Sequence, residues 1–545
     1  MKHSAREACK RAAAAALFLF CALAHGESRY LVVAANPLAA DAGASVLRQG
    51  GTAADAAVAV QAMLGLVEPQ SSGVGGGAFL LYWSAKDRSL HAYDGRETAP
   101  ASARRERFLD AQGKPLPIFE AIAGGRSVGV PGAIRMLELA HSRHGRLGWE
   151  ELFAPAIFSA EEGFAVSPRL HALLSSDRFA PRSATLFYER DGRPKPVGAK
   201  LVNRDYGATL RAIAQKGADA LYKGRIAEDI VRAVASGAAP GGMTAVDLAA
   251  YRAVERSPVC GPYREWRVCS MPPPSSGGIA VLQILALLER TPFPQAAPDS
   301  ADAAHYFAEA GRLAFRDRAR FVGDPDFTTV PTAKLLSPAY LDDWAKGIGA
   351  RGRRAAPAAQ GEVPGTSHFV IVDGEGNVAS MTTSIEAPFG SRVFVDGFLL
   401  NNELTDFDFA PGGPNEVGPG KRPRSSMAPT IVFDREGNVR LAIGSAGGSF
   451  IINYVAKTLV AVLDWRRDLA SAIAMPNFGS RGGPVEIELG TRYEPLAAIL
   501  AERGHEVAIR EMESGLHGLE RVQAGPAAFW RGGVDPRREG AARGD

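Results

Sequence analysis

A change of pattern at Gly365-Thr366 constrains the fold more than any other feature of this 545-residue chain. Before it, residues 130–326 read mainly as helices, and residues 349–365 form an Arg-, Ala-, Gly- and Pro-rich stretch typical of a linker. After it, apolar and polar residues alternate in residues 367–372 and 378–385, on either side of a Gly- and Asn-containing turn. This alternation predicts a β-hairpin directly after the linker.

A second hairpin is predicted further along, with strands at residues 430–433 and 439–443, and helices are predicted at residues 449–465 and 493–503. Hairpins that alternate with helical runs indicate sheets covered by helices, so we expect an α+β sandwich. The Arg- and Gly-rich end of the chain, from Asp535, is predicted to be loose.

The first 24 residues have the pattern of a secretory signal peptide. Four basic residues and one acid there account for the whole formal charge of +3. The apolar run Ala12–Ala24 is shorter than the ~20 residues needed to span a bilayer, and it ends in the small-x-small sequence Ala22-Leu23-Ala24. A membrane anchor is the alternative. We expect a periplasmic or secreted protein with no stable membrane insertion after cleavage.

The remaining chain carries no net charge, which gives no electrostatic basis for binding nucleic acid. Cys9 and Cys21 would leave with the signal peptide. Cys260 and Cys269 flank a segment with the length and composition of a hairpin, where a disulfide would place the two Cα atoms about 4.4–6.8 Å apart. Two unpaired thiols are the alternative. Two cysteines without a nearby pair of histidines do not form a zinc site, so no metal is expected.

Common nucleotide-binding and catalytic motifs are missing or misplaced. Residues 73–78 match GxGxxA, but a dinucleotide site needs a strand before the glycines and a helix after them, and here a loop precedes and a strand follows. No Gly-Lys-Ser/Thr follows a glycine-rich stretch, and HExxH does not occur. The sequence therefore argues against a P-loop protein and a zinc protease.

Thr366 is a candidate nucleophile because of its position. A threonine hydroxyl attacks poorly unless a base lies beside it. Cleavage between Gly365 and Thr366 would create an α-amine, with an intrinsic pKa of about 7.7–8.0, that could act as this base. Taken alone, the junction also fits an ordinary threonine at the start of a strand.

Ordered segments on both sides of the junction decide between these interpretations. Downstream they read TSHFVIVDGEGNVASMTTSIEAPFGS, FLLNNELTDFD, GKRPRSSMAPTIV and GSAGGSFI. Upstream they include GGTAADAAVAV, VEPQSSGVGGGAFLLYW, DGRETAPASA, PPPSSGGIA and AEAGRLAFRDRARFVGDPDF. In order and spacing, from about Tyr30 to about Ala542, the chain resembles the gamma-glutamyltranspeptidases of the N-terminal-nucleophile hydrolase superfamily.

The resemblance implies a four-layer αββα sandwich formed jointly by two subunits cut from one precursor. Residues 1–24 would be the signal peptide, 25–365 the large subunit and 366–545 the small, catalytic subunit. The two subunits would remain associated as a heterodimer in one intertwined globular unit. No cofactor and no metal are implied.

The resemblance also assigns catalytic roles. Thr366 would attack the Gly365 carbonyl, which cuts the precursor, and would then attack substrate acyl groups. Ser384 matches a hydroxyl position that supports the nucleophile. Gly447 and Gly448 would offer backbone N–H groups to the oxyanion, with a plain tight turn as the alternative for these two.

Six further positions match the donor-binding site of the family. Arg96 would bind the substrate α-carboxylate bidentately, and Ser425 and Ser426 would add hydroxyl donors. Three acids in one place repel each other unless a cation lies among them, and we expect the substrate α-ammonium to be that cation. The acids are Glu386, Glu403 and Asp406, and for the last two a solvated loop face is the alternative.

One departure from the family pattern affects the donor site. Between Asp408 and Lys421 this chain has only FAPGGPNEVGPG, whereas members with a lid carry a longer insertion whose tyrosine covers the bound donor. The resemblance thus implies a lidless, open donor site.

The implied activity is transfer of γ-glutamyl groups, from glutathione or related amides to water, amino acids or peptides, through an acyl-enzyme on Thr366. The first alternative is an acylase of the same superfamily, acting for example on a glutaryl side chain of a β-lactam. A glutaryl group lacks the α-ammonium and would leave the three acids without their cation. The second alternative is a secreted binding protein without catalysis, against which the complete set of catalytic residues argues.

Overall fold

The computed structural model describes residues 29–176, 180–181, 183–352, 365–524 and 527–545. The predicted signal peptide and residues 353–364 of the predicted linker lie outside these ranges. Within them, no helix is both long enough and apolar enough to cross a bilayer.

The described part of the chain contains twenty strands. They are β1 (Leu31–Ala34), β2 (Gly77–Ser84), β3 (Ser89–Gly95), β4 (Phe164–Ala165), β5 (Lys200–Leu201), β6 (Val254–Arg256), β7 (Val259–Tyr263), β8 (Trp266–Ser270), β9 (Gly365–Val372), β10 (Val378–Glu386), β11 (Phe394–Val395), β12 (Phe398–Leu399), β13 (Thr430–Phe433), β14 (Val439–Gly444), β15 (Phe478–Ser480), β16 (Val485–Glu488), β17 (Val507–Arg510), β18 (His517–Ala524), β19 (Ala527–Val534) and β20 (Ala541–Gly544).

Seventeen α-helices lie in the same described ranges. They are α1 (Pro37–Arg48), α2 (Ala53–Val67), α3 (Ile118–Ile122), α4 (Ala133–His144), α5 (Ala154–Glu162), α6 (Pro168–Leu174), α7 (Arg204–Lys216), α8 (Asp219–Tyr222), α9 (Arg225–Val234), α10 (Ala245–Ala250), α11 (Gly277–Leu288), α12 (Ala301–Phe321), α13 (Thr332–Leu335), α14 (Pro338–Ala345), α15 (Ile451–Leu463), α16 (Leu469–Ala474) and α17 (Leu496–Glu502).

Two large antiparallel sheets form the centre of the molecule. The first has seven strands in the order β20-β1-β9-β10-β2-β3-β6, and the second has six in the order β19-β18-β14-β13-β8-β7. Both predicted hairpins are present, as β9–β10 in the first sheet and β13–β14 in the second. The predicted α+β architecture therefore rests on the hairpins that follow the junction.

The side chains of β9 explain how the layers stack. Phe369 and Ile371 pack into an apolar cluster with α1, α2 and α4, whereas Val370 and Val372 point into the cluster shared with the second sheet. Residues of α11, α12 and α15 belong to that second cluster and cover the other face of the six-stranded sheet. Because successive strand residues face opposite sides, one strand serves two layers. The resulting order of helix, sheet, sheet and helix confirms the predicted αββα sandwich.

Helix α2 shows how sequence builds the first helical layer. Its N-terminus is a capping box, in which the Thr52 hydroxyl accepts a hydrogen bond from the Asp55 N–H and the Asp55 carboxylate accepts one from the Thr52 N–H. All fifteen residues of the helix are buried. Its Ala-rich surface lets it lie close to both the first sheet and α1.

Both sheets contain strands from before and after Gly365. The first sheet takes β1, β2, β3 and β6 from the earlier part of the chain, and the second takes β7 and β8. The remaining strands of both sheets come from Gly365 onward. Neither part could keep either sheet intact alone, so two fragments cut at this point would share one core.

The end of the chain is ordered, so the prediction of a loose tail was wrong. Strand β20 pairs with β1 and forms the edge of the seven-stranded sheet. Asp535 is fully buried and accepts hydrogen bonds from the Ser514 hydroxyl and the Leu516 N–H. Composition misled the prediction because Arg537 makes ion pairs with Asp535 and Glu488 instead of facing solvent.

Cys260 and Cys269 face each other across the β7–β8 hairpin and form a disulfide. Their Cα atoms are 4.1 Å apart, slightly closer than the expected range. The bond joins the outer strand of the second sheet to its neighbour.

Replacing both cysteines with alanine should lower the free energy of unfolding by about 2–3 kcal/mol, because closing a short loop restricts the unfolded chain. Urea unfolding of the double variant measures the loss, and wild-type protein in a thiol reductant is the matched control. The stabilising role is contradicted if variant and wild type unfold at the same urea concentration.

Candidate functional site

Thr366 is the second residue of β9, and its side chain lies in a pocket between the loops at this end of the sheets. The pocket also contains Met427, Ser449 and Ile451. Every predicted catalytic and donor-binding residue except Gly447 lines it, and Gly447 directly precedes a lining residue, as Gly365 of the predicted cleavage site does. The predicted lining residues are Arg96, Thr366, Ser384, Glu386, Glu403, Asp406, Ser425, Ser426 and Gly448.

The pairing of β9 with β10 places Ser384 directly opposite Thr366. The two hydroxyl oxygens are 3.1 Å apart. The Ser384 hydroxyl donates to the Gly365 carbonyl over 2.8 Å and accepts from the Glu386 N–H over 2.8 Å. The chain is uncut, so the Thr366 nitrogen is still part of the peptide bond to Gly365. The Ser384 hydroxyl contacts both the Thr366 hydroxyl and the Gly365 carbonyl.

Gly447 and Gly448 form the turn before α15. Their φ angles of 129° and 58° lie in the left-handed region that favours glycine. A Cβ atom on Gly447 would approach the Tyr454 ring to 2.5 Å. Among the described residues, neither glycine N–H has a hydrogen-bond acceptor. These N–H groups, beside the positive end of the α15 dipole, are suited to binding an oxyanion.

Arg96 follows β3 and lies between acidic side chains. Its guanidinium forms ion pairs with Glu403 and, over 2.5 Å, with Asp406. It also donates to the carbonyls of Pro423, over 3.0 Å, and Arg424, over 3.1 Å. Arg96 is almost completely buried, so these contacts are shielded from solvent.

These contacts bear on two expectations. Arg96 offsets part of the repulsion between Glu403 and Asp406, so a substrate ammonium would not be the first cation to lie among the three acids. The guanidinium has five N–H groups, and four are engaged within the protein. A bidentate grip on a carboxylate would therefore require one of these bonds to open.

Burial governs the charge of the carboxyl groups around Arg96. It raises the pKa of Glu403 to about 7, with Arg96 lowering it and Asp406 raising it. Burial, reinforced by Glu403, raises the pKa of neighbouring Glu97 well above its usual range. Because Arg96 contacts Glu403 directly, Glu403 is the one of the two that ionises first.

Two charged groups behind the nucleophile were not predicted from the sequence. Glu68 accepts a hydrogen bond from the Ser367 hydroxyl over 2.8 Å, and the Arg538 guanidinium donates to the Thr366 carbonyl over 2.7 Å. Burial raises the pKa of Glu68, although Arg169 and Arg538 lower it. Glu68 lies in one of the segments that resemble the family, so the sequence could have indicated it. Arg538 lies in the stretch that was predicted to be loose.

The glycine-rich loop before β2 serves packing. A Cβ atom on Gly75 would lie 2.2 Å from the Leu399 carbonyl oxygen, and one on Gly76 would lie 2.1 Å from the Ser384 carbonyl oxygen. Only glycine allows the loop to approach β10 this closely. The loop therefore supports the strand that holds Ser384.

The short segment 409–420 does not contribute to the lining of the pocket. Phe409 stacks on Phe108 with ring centres 4.6 Å apart, and Asp408 pairs with Arg424 over 2.8 Å. Residues 409–420 are all described, and none of them lines the pocket. This agrees with the expectation of a lidless site.

Comparisons with known proteins agree with this site. Residues 39–544 match the family described as gamma-glutamyltranspeptidase. The glutathione hydrolase proenzyme of Bacillus subtilis (strain 168) is 38% identical over 470 residues, which cover 82% of this chain and 80% of that protein. The acylase ACY 1 proenzyme of Pseudomonas sp. (strain SE83) is 35% identical over 528 residues, 93% of each protein.

The crystal structure of cephalosporin acylase from Bacillus halodurans has a similar fold. Its TM-score to this chain is 0.84 at 28% sequence identity, and the match covers 95% of this chain and 96% of that one. The family match extends from α1 to β20 and includes the whole pocket. This chain therefore belongs to the gamma-glutamyltranspeptidase family of enzymes.

Proposed function

We propose that this enzyme transfers γ-glutamyl groups from glutathione or related amides to water, amino acids or peptides. The acyl group would be carried by Thr366. The proposal rests on one observation: a single pocket contains the Thr366 hydroxyl, its partner Ser384, Gly448 and three carboxyl groups. The B. subtilis relative, named a glutathione hydrolase proenzyme, supports glutathione as a donor.

The charge of the pocket favours a donor with an α-ammonium group. Three carboxyl groups line the pocket and Arg96 is the one guanidinium among its lining residues. When Glu403 is ionised, carboxylates therefore outnumber guanidinium groups three to one among the residues that line the pocket. A bound ammonium brings positive charge to this position. The carboxyl groups belong to Glu386, Glu403 and Asp406.

Self-cleavage would come first. The Ser384 hydroxyl polarises the Gly365 carbonyl, and the Thr366 hydroxyl attacks its carbon. The C–N bond breaks, Gly365 becomes an ester on the Thr366 oxygen, and the nitrogen takes up the hydroxyl proton and leaves as an amine. Water then hydrolyses the ester and gives two fragments, residues 25–365 and 366–545, that form a heterodimer.

Substrate turnover would use the groups that cleavage releases. The new α-amine takes the proton of the Thr366 hydroxyl as this attacks the γ-carbonyl of the donor. The N–H groups of Gly447 and Gly448 receive the developing oxyanion. The leaving amine takes the proton and departs, and water or an acceptor amine then attacks the acyl-enzyme. The N-terminal pattern supports export, so this reaction would occur in the periplasm or outside the cell.

An acylase acting on glutaryl amides is the second candidate. The Pseudomonas acylase is 35% identical over nearly the whole chain, and the B. halodurans cephalosporin acylase has the same fold. Arg96 also neutralises part of the acidic cluster in the absence of substrate. A glutaryl donor keeps the terminal carboxylate and lacks the α-amine, so the two candidates differ in one group.

Thr366→Ala should remain a single uncut chain without activity, because it lacks the attacking oxygen. Thr366→Ser keeps a hydroxyl and is the matched control, which should be cleaved. Ser384→Ala should be cleaved more slowly than wild type. Denaturing gels and N-terminal sequencing of the small fragment measure all three, and normal cleavage of Thr366→Ala would refute the assignment.

Asp406→Ala should lower kcat/KM for γ-glutamyl donors roughly 30-fold or more, since losing a charged partner in a desolvated site costs about 2–5 kcal/mol. Self-cleavage should survive, because it uses no substrate ammonium. The exposed Asp343→Ala is the control. Wild type should have a much lower kcat/KM for a glutaryl amide than for a γ-glutamyl donor, and this difference should be smaller in Asp406→Ala. A wild-type preference for the glutaryl amide would favour the acylase.

The KM for γ-glutamyl donors should fall as pH rises through about 7. Below this pH Glu403 is protonated and neutral, and above it the carboxylate attracts the donor ammonium. Glu403→Gln should remove this step in KM. It should leave the pH dependence of kcat, which follows the Thr366 α-amine. Steady-state kinetics across neutral pH measure both, and a KM step that persists in Glu403→Gln contradicts the assignment.

A further inference from the structure

The loop Met271–Ser276 has no role in the mechanism above, yet it supports the substrate-binding serines. The N–H and the hydroxyl of Ser276 both donate to the Ser425 carbonyl, over 2.8 Å and 2.6 Å. The Ser275 hydroxyl donates to the Met427 carbonyl over 2.6 Å. This loop therefore holds the backbone on both sides of Ser426.

Arg318, near the end of α12, connects this loop to the pocket. Its Nε donates to the Ser276 hydroxyl oxygen over 2.9 Å, and its Nη2 donates to the Ser426 hydroxyl oxygen over 2.9 Å. The Arg318 guanidinium thus contacts both Ser426, which lines the pocket, and Ser276, which holds the backbone of Ser425.

These contacts leave two hydroxyl protons available to the pocket. Ser426 accepts from Arg318, and Ser425 accepts from the Met427 N–H over 3.1 Å, so neither hydroxyl proton is used in these bonds. Within the described ranges, neither proton has an acceptor, although the two side chains are only 8% and 1% exposed. Buried hydroxyls usually donate as well as accept, so an acceptor in the pocket would complete both.

A carboxylate is the acceptor that fits this arrangement. Arg96 has one N–H group left for it, so Arg96 alone cannot bind a carboxylate through two hydrogen bonds. Two aligned hydroxyl donors, with a guanidinium 2.9 Å behind one of them, supply the missing hydrogen bonds and positive charge.

We propose that Arg318 is a positioning residue that turns the hydroxyl protons of Ser425 and Ser426 toward the carboxylate of the donor. It acts on Ser426 directly and on Ser425 through Ser276. The proposal rests on the proposed function for its donor, but γ-glutamyl and glutaryl groups both carry this carboxylate. A donor without the carboxylate gains nothing from Arg318.

Three p-nitroanilides test the proposal: the γ-glutamyl donor, the glutaryl donor without the amine, and the 4-aminobutanoyl donor without the carboxylate. Arg318→Gln should raise KM for the γ-glutamyl donor roughly tenfold or more with a much smaller change in kcat. Its kcat/KM for the 4-aminobutanoyl donor should equal that of wild type. Arg318→Lys, which keeps the charge, should recover part of the loss.

Arg316→Gln is the matched control, because Arg316 lies on the same helix but packs over Trp344. A double-mutant cycle supplies a readout independent of folding. If Arg318 acts through Ser426, Arg318→Gln should lower kcat/KM for the γ-glutamyl donor much less in a Ser426→Ala background than in wild type. Should Arg318→Gln fail to fold or to be cleaved, Arg318→Lys is taken through the same cycle.

The positioning role would be overturned if Arg318→Gln lowered kcat/KM equally for all three donors, or if its effect and that of Ser426→Ala were fully additive. Unchanged KM in Arg318→Gln would overturn it too. Failure of the proposed function gives a different result, in which wild type prefers the glutaryl donor to the γ-glutamyl donor while the dependence on Arg318 still follows the carboxylate.

Discussion

Strand β9 pairs with β10 so that Thr366 lies opposite Ser384, and the rest of the site is arranged around this pairing. Ser384 contacts both the hydroxyl that would attack and the Gly365 carbonyl that would be attacked. The same two strands lie in the middle of the seven-stranded sheet, between β1 and β2. Because both sheets also contain strands from before Gly365, a cut there would free an amine at the site without separating the fragments.

The charged groups form a second layer of organisation. Arg96 is held by Glu403, Asp406 and two carbonyls, so it acts as a fixed part of the pocket more than as a free clamp. This leaves an excess of carboxyl groups that suits an ammonium. It also leaves recognition of a carboxylate to the hydroxyl groups of Ser425 and Ser426, with Arg318 behind them. This arrangement bears on both candidate functions, because a γ-glutamyl donor and a glutaryl donor share the carboxylate and differ in the amine.

Local patterns predicted the elements that depend on neighbouring residues. Alternation in residues 367–372 gave β9, and the family-like segments led to the residues that now line the pocket. Contacts between distant parts of the chain could not be predicted in this way. Arg538 reaches the Thr366 carbonyl across 172 residues, and β20 pairs with the first strand of the fold, although the composition of this stretch suggests a loose tail. Arg96, Glu403 and Asp406 were predicted to share one site, but the direct ion pairs between them were not predicted.

The proposed mechanism requires Thr366 to carry the acyl group. Acid quenching during turnover of a γ-glutamyl donor, followed by mass spectrometry of the separated fragments, tests this directly. We expect the fragment beginning at Thr366 to gain the mass of one glutamyl group, and peptide mapping to locate that group on Thr366. An adduct on another residue, or turnover by a chain that remains uncut at Gly365, would contradict it.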